Sequence, residues 1–292
     1  MKSIMQTSKY MLASARDEHW GLTIGTIGYE EVGANESYPT TGHASGYYFK
    51  LDKGRVLDEY QMLYVVSGKG LFNSAHVKDA PLNPGDAFLL FPGEWHSYHP
   101  LMNTGWKCHW IGFKGKNMDD RVKLGFLSPM HPIYHLGYSS EIEYLYKTAY
   151  KTAIEEKAYT QQLLAGIVNH MIGLMYSLER NIDLKNNQGH TDLMQKACMV
   201  IREKLEDDLV IQDLAETLGF SYSNFRKLFK EYTNISPSTY QQDLRLQRAK
   251  ELLTSTNLSI KEIAYRLRFD SPDYFSAKFK AKVGVKPSEY RG

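Results

Sequence analysis

The feature that most constrains this chain is an internal duplication near its C-terminus, with a period of about 50 residues. LVIQDLAETLGFS (209–221) aligns with LSIKEIAYRLRFDS (258–271), and FRKLFKEYTNISPSTY (225–240) aligns with FSAKFKAKVGVKPSEY (275–290). Shared residues include Ile211/Ile260, Ala215/Ala264, Leu218/Leu267, Phe220/Phe269, Phe225/Phe275, Phe229/Phe279, Pro237/Pro287 and Tyr240/Tyr290. Two copies are too few for a solenoid, which needs three or more.

Each copy has the same local grammar. In the first, Ile211–Leu218 has the spacing of a short amphipathic helix. Gly219 can take the left-handed conformation that ends a helix, and Ser221 can cap the next one. That helix is expected to run to about Tyr232, burying Phe225, Leu228 and Phe229 at i, i+3 and i+4. Helix, tight glycine turn, helix is the helix-turn-helix pattern. Its outward face offers Ser223, Asn224, Arg226, Lys227 and Lys230. Asparagine can bond an adenine edge in two places, and lysine can donate to guanine or to phosphate. In the second copy Ser271 starts the equivalent helix, which offers Asp273, Ser276, Lys280 and Lys282. A Leu-, Arg- and Lys-rich helix over about 238–253 joins the copies and spans ~24 Å at 1.5 Å per residue. That is enough to set two recognition helices about one DNA turn apart, ~34 Å, on one face of a duplex. A single copy would read as an ordinary helical hairpin; two matching basic copies point to double-stranded DNA.

Charge is informative only when divided. The total of 35 basic against 33 acidic residues argues against a polyanion partner. Residues 220–292, however, hold 14 basic and 7 acidic side chains, while residues 1–219 hold 21 and 26. The near-neutral sum combines an acidic body with a basic tail.

At 292 residues the chain has room for two domains. Residues 1 to about 115 break into short β-forming runs between turn residues, such as YQMLYVV (60–66) and DAFLLF (86–91). This is the patterning of a barrel or jelly roll. Ile142, Leu145, Tyr146 and Ala149, then Leu163 to Leu178, recur at helical spacing and predict two amphipathic helices. Those helices either pack on the β-domain or form a dimer interface. The polar stretch after them reads as a linker. The expected fold is α+β in two domains: a jelly roll with coupling helices (1–180), a linker (181–191), and an all-α domain with two helix-turn-helix units (192–292).

The tail, with its two units and the terminal FDSPDYFSAKFKAKVGVKPSEYR (269–291), resembles the DNA-binding domain of the AraC/XylS family of transcription regulators. One departure is Arg268, where such proteins carry glycine. A side chain at a left-handed turn costs about 1 kcal/mol, and a phosphate contact is the expected reason for the exchange. Asp273 repels phosphate, so the second unit is expected to read bases less than the first. PGDAFLLFPGEWHSYHP (84–100) and GWKCHWIGFKG (105–115) resemble the cupin-like ligand-binding half of AraC-type sugar regulators.

That second resemblance implies a sugar pocket inside the jelly roll. Sugars need an aromatic face and planar bidentate partners for vicinal hydroxyls. Strand alternation puts Trp106, Cys108 and Trp110 on one face. By resemblance Trp110 matches a stacking tryptophan, Tyr98 a pocket tyrosine, and Arg55 (or Lys53) a hydroxyl-binding arginine. Cys108 falls where the family's sugar binder has a polar ring residue, and His96 is a further candidate. Each aromatic reads equally as core, and His96 as a satisfied turn histidine. In sugar-responsive members an N-terminal segment folds over the ligand. Here Tyr38, His43 and Tyr48 are the residues expected to close the pocket, a plain surface hairpin being the alternative.

A metal-dependent cupin enzyme would need His-x-His plus a glutamate and a further histidine. Residues 58–61 read Asp-Glu-Tyr-Gln, and His96 and His99 face opposite sides of a strand. No nucleophilic triad or phosphate loop is visible, so neither enzyme activity, cofactor nor metal is expected. Cys108 and Cys198 are too few for a disulfide scaffold or a four-thiolate zinc site. The N-terminus lacks a signal-peptide core and no run approaches ~18 apolar residues. The expectation is therefore a cytoplasmic, homodimeric, sugar-responsive activator that uses promoter DNA, a carbohydrate effector and RNA polymerase. The alternatives are a constitutive regulator whose jelly roll only dimerises, and the metal-dependent enzyme.

Overall fold

The computed structural model describes residues 5–39, 50–51, 53–185 and 188–292. The chain divides into two compact units, 1–182 and 183–292.

The first unit is a sandwich of two antiparallel sheets. Its strands are β1 (Met5–Tyr10), β2 (Thr23–Val32), β3 (Arg55–Val56), β4 (Tyr60–Gly68), β5 (Gly70–Ser74), β6 (Ala80–Leu82), β7 (Asp86–Leu90), β8 (Trp95–Pro100), β9 (Trp106–Lys114) and β10 (Ile133–His135). One sheet has the order β1-β2-β9-β4-β7-β10 and the other β3-β8-β5-β6. Helices α1 (Ala15–Glu18) and α2 (Lys116–Lys123) sit in connections, and α3 (Ser140–Glu155) and α4 (Thr160–Lys185) follow the last strand.

Strand alternation gives the large sheet two apolar faces. The inward face meets the small sheet through Val32, Leu63, Val65, Phe88, Trp106, Cys108 and Trp110, with Phe72 and Tyr98 opposite. The outward face presents Ile24, Ile27, Met62, Tyr64, Ile111 and Phe113 to α3 and α4. Ile142, Leu145, Tyr146 and Ala149 of α3 and Leu164, Val168, Met171 and Ile172 of α4 fill that layer. The helical stripe read from sequence therefore packs on the β-domain. Leu163, which that stripe included, is instead 58% exposed. Polar contacts fix the layer's register. Tyr146 donates to the Met62 carbonyl at 2.8 Å, and the buried Gln161 side chain accepts from Ile24 N–H and donates to its carbonyl, both at 2.9 Å.

The segment read as a linker is largely helical. α4 runs to Lys185 and α5 (Gln188–Glu203) begins three residues later. Nothing in that sequence forbids a helix: it holds no proline, and Gly189 falls in the first turn of α5.

The second unit continues with α6 (Ile211–Thr217), α7 (Tyr222–Thr233), α8 (Pro237–Ser255), α9 (Ile260–Arg266), α10 (Pro272–Val283) and α11 (Pro287–Arg291). The duplication is visible in its packing. Phe225 and Phe229 lie 5.5 Å apart and Phe275 and Phe279 lie 5.7 Å apart. Tyr240 meets Phe229 edge-on at 5.4 Å, and Tyr290 meets Phe279 edge-on at 5.5 Å. Each copy thus builds its own small core, one with α5 and one with α8.

Candidate functional site

In the second unit each helix-turn-helix is set by its turn and its cap. Gly219 has φ +80°, the left-handed value that the chain reversal after α6 requires. Ser221 caps α7 by accepting from Asn224 N–H, and Ser271 caps α10 by accepting from Tyr274 N–H at 3.1 Å. Both serine hydroxyls are therefore engaged at helix starts. Ser223, Asn224, Arg226, Lys227 and Lys230 are all exposed on α7, opposite the buried Phe225 and Phe229. On α10, Asp273 and Lys280 are exposed and Ser276 is half-buried.

Two of the expected DNA residues also make contacts within the protein. Lys282 is exposed but forms an ion pair with Asp243 of α8 at 2.7 Å. Arg268 does take the left-handed turn, with φ +57°. Its guanidinium, however, donates to the Glu206 carbonyl at 2.8 Å and pairs with Asp208 at 3.1 Å. The 204–210 turn brings these acceptors within reach of Arg268, whose side chain remains exposed. Glu206 also pairs with Arg266 at 2.8 Å and Arg248 at 3.4 Å, and Arg266, then Arg248, hold its carboxyl below the usual range. Arg245 donates to the carbonyls of Leu205, Asp207 and Arg268. This buckle ties the loop between α5 and α6, in the first copy, to α8 and α9. Helix α8 has 19 residues against the 16 or so expected.

In the first unit the candidate ligand residues converge on the sandwich interior. Arg55 on β3 stands opposite His96 on β8. Its Nη2 donates to Tyr98 Oη at 2.6 Å and its Nε donates to His96 Nε2 at 3.2 Å. His96 Nδ1 faces the Glu94 carbonyl at 3.1 Å, so the ring carries its proton there and accepts at Nε2. Burial, then the Arg55 charge, pushes the His96 pKa down to about 3. The imidazole is a neutral acceptor in this arrangement. Tyr98 is pushed up to about 12, mainly by burial. Trp106 lies 6.1 Å from the Tyr98 ring, and Tyr38 meets Trp106 edge-on at 6.0 Å. Trp110 lies on the same inward face, over Gly28, where an added Cβ would come within 2.1 Å of the indole. Lys53 is exposed, whereas Arg55 reaches the buried His96 and Tyr98, which leaves Arg55 as the inward cation of the two. His43 and Tyr48 lie outside the described residues.

Three interior residues escaped the sequence reading. Glu30, 3% exposed, accepts from Trp106 Nε1 at 2.9 Å. Glu59 and Gln61, 2% and 1% exposed, form a cluster with Thr26, in which Gln61 donates to Glu59 at 2.9 Å and Thr26 donates to it at 3.2 Å. The available signal was parity: Glu30 shares its face with Gly28, and Glu59 and Gln61 share theirs with Leu63. Planar carboxylates beside indoles, a neutral imidazole and a guanidinium can hold a polyhydroxylated ligand. Among the described residues, no group of three or more His, Cys, Asp or Glu could hold a metal ion. Among the same residues, no helix is long and apolar enough to cross a membrane.

The family of AraC-like ligand binding domains matches residues 36–218, and a helix-turn-helix domain family matches residues 201–292. The raffinose operon transcriptional regulatory protein of Pediococcus pentosaceus is 29% identical, over 81% of this chain and 86% of its own. The Msm operon regulatory protein of Streptococcus mutans is 28% identical, over 83% and 89%. The lactose operon transcription activator of Staphylococcus xylosus is 26% identical, over 78% and 81%. A ligand-binding sandwich followed by a duplicated helix-turn-helix defines a DNA-binding transcription regulator. More narrowly, the chain belongs to the AraC/XylS family.

Proposed function

We propose that this regulator senses a sugar in the interior of its first unit and, as a cytoplasmic homodimer, activates transcription of a carbohydrate-use operon by engaging RNA polymerase. The carrying observation is the polar set of Arg55, His96, Tyr98 and Glu30 gathered against Trp106 inside the sandwich. Trp110 supplies the stacking face, and Tyr38, beside Trp106, closes the site. Relatives over most of the chain support this reading, since their names place them on raffinose, lactose and arabinose operons, one of them as an activator. Ser223, Asn224, Arg226, Lys227 and Lys230 read one major-groove segment, and Ser276 and Lys280 meet the next with fewer base contacts.

Binding is tested by a thermal-shift screen of sugars. A ligand at 100 times its Kd adds about 2.7 kcal/mol of stability. Mobility shifts on an operator selected from random DNA then report control. Trp110→Ala should abolish the sugar's effect with operator affinity intact, and Lys227→Ala should do the reverse. If no sugar shifts the melting, the sensor reading fails and a constitutive regulator, with a jelly roll that only dimerises, takes its place.

A further inference from the structure

We infer that the first unit has a second ligand site, on the outward face of its large sheet, that takes a small neutral aromatic molecule with one hydrogen-bond donor, such as a phenol or an indole. The site lies across the sheet from the sandwich interior, because His109 alternates with the inward Cys108 and Trp110 along β9. It does not depend on the sugar reading.

Strand register builds the site. Thr7 stands opposite Tyr29, and Tyr29 opposite His109, so the three lie side by side across β1, β2 and β9. Glu143, Lys147 and Tyr150, at i, i+4 and i+7, line the same cleft from α3. The cleft has a volume of about 510 Å³. An apolar cavity of about 150 Å³ binds benzene, so there is room for one or two rings.

His109 carries the inference. It is 8% exposed, with its ring 4.9 Å from Tyr29 and stacked on Tyr146 at 5.2 Å. The hydroxyls around it are satisfied. Tyr29 donates to Glu31 at 3.1 Å, Tyr64 to the Gly137 carbonyl at 3.2 Å, and Tyr146 to the Met62 carbonyl at 2.8 Å. The His109 imidazole, which lines the cleft, has no hydrogen-bond or ion-pair partner among the described residues. A buried polar group left so needs a partner from outside the chain. Burial, against the pull of Glu143, pushes its pKa down to about 4. The ring is therefore neutral at pH 7 and keeps one nitrogen as an acceptor. The rest of the lining sets the ligand's charge and shape. Lys107 pairs with Glu31 at 3.1 Å and Lys147 with Glu143 at 2.5 Å, so an ionic ligand would have to compete with an existing pair. Val66, the tyrosine rings and the lysine stems offer apolar surface. A flat apolar body with one O–H or N–H aimed at His109 meets both demands.

The test is calorimetric titration of the full chain at neutral pH with phenol and indole, with toluene, which has no donor, and with benzoate, which is charged. Phenol or indole should bind about tenfold or more tighter than toluene and benzoate. His109→Leu should remove that advantage, about tenfold, and Thr7→Trp, which fills the cleft, should abolish binding. A cooperative melt by circular dichroism identifies the folded variants, and either one suffices. Toluene or benzoate binding as tightly as phenol and indole overturns the assigned chemistry. Binding that survives in a folded variant places the ligand elsewhere and overturns the site. No binding of phenol or indole overturns the proposal outright, and each of these results leaves the sugar reading untouched.

Discussion

At the residue scale, His96 links the candidate site to pH. The native state holds its ring neutral, with the pKa pushed down to about 3, against 6.5 in the unfolded chain. The unfolded chain therefore binds the extra proton first. Stability present above pH 6.5 is lost as pH falls from there toward 3. His109, pushed down to about 4 by burial, acts in the same sense. At pH 5.5 each histidine has cost about 1.4 kcal/mol relative to pH 8. All four tryptophans, Trp20, Trp95, Trp106 and Trp110, lie in the first unit, so their emission follows its melting alone. His96→Gln should shrink the stability difference between pH 8 and pH 5.5 by about 1.4 kcal/mol; identical profiles would show that His96 does not take up that proton. Arg268 gives a second residue-scale prediction. Its left-handed φ of +57° costs about 1 kcal/mol, offset by its contacts with Glu206 and Asp208. Arg268→Ala keeps the strain and loses the contacts, whereas Arg268→Gly loses both. The alanine variant should therefore be about 1 kcal/mol less stable than the glycine variant by circular dichroism of the second unit's transition. Equal stabilities would remove strain from the account.

At the element scale, the buckle around Glu206 is one connection by which the two copies constrain each other. Glu206 sits before α6, while Arg248 and Arg266 lie on α8 and α9. Glu206→Gln weakens two ion pairs that are each half-exposed, for a total of about 1 kcal/mol. Its larger effect should be on geometry. Affinity for an operator with both half-sites should fall several-fold while affinity for the α7 half-site alone stays constant; an equal fall on both would make the effect one of stability only. The helices of this unit were largely legible in the sequence, because Ser221, Gly219, Ser271 and the repeated phenylalanines state caps, turns and buried faces locally. The sandwich was less so. β1 carries MQTSKY, with little apolar alternation, and becomes a strand by pairing with β2 from Met5↔Glu31 to Tyr10↔Thr26. β10, three residues long, exists only through its pairing with β7. Glu30, Glu59 and Gln61 were not singled out, because parity alone marks a shared face, and cross-strand register is needed to show that this face points between the sheets. The contacts of Arg268 were hidden for a similar reason, since its acceptors lie some 60 residues away in sequence.

At the scale of the whole molecule, the proposed function puts ligand and DNA on different units, so regulation would be a coupling free energy between two binding equilibria. A sugar can change operator affinity only if it binds the DNA-competent state better or worse than the alternative. By linkage, operator DNA must then change sugar affinity by the same factor. For couplings of about 1–3 kcal/mol the factor is roughly 5–150. The charge division defines how to measure it. Operator binding by the basic tail displaces phosphate counterions, so its affinity falls steeply with salt, whereas a neutral sugar in a buried site is little affected. Salt thus sets operator affinity to a measurable range without disturbing the sugar site. Operator titrations with and without saturating sugar, and sugar titrations with and without saturating operator, should give one common factor above about 5. A factor of one in both directions, with sugar still bound, would mean that the first unit binds its ligand without controlling the second, and the sensor reading would then hold for binding but not for regulation.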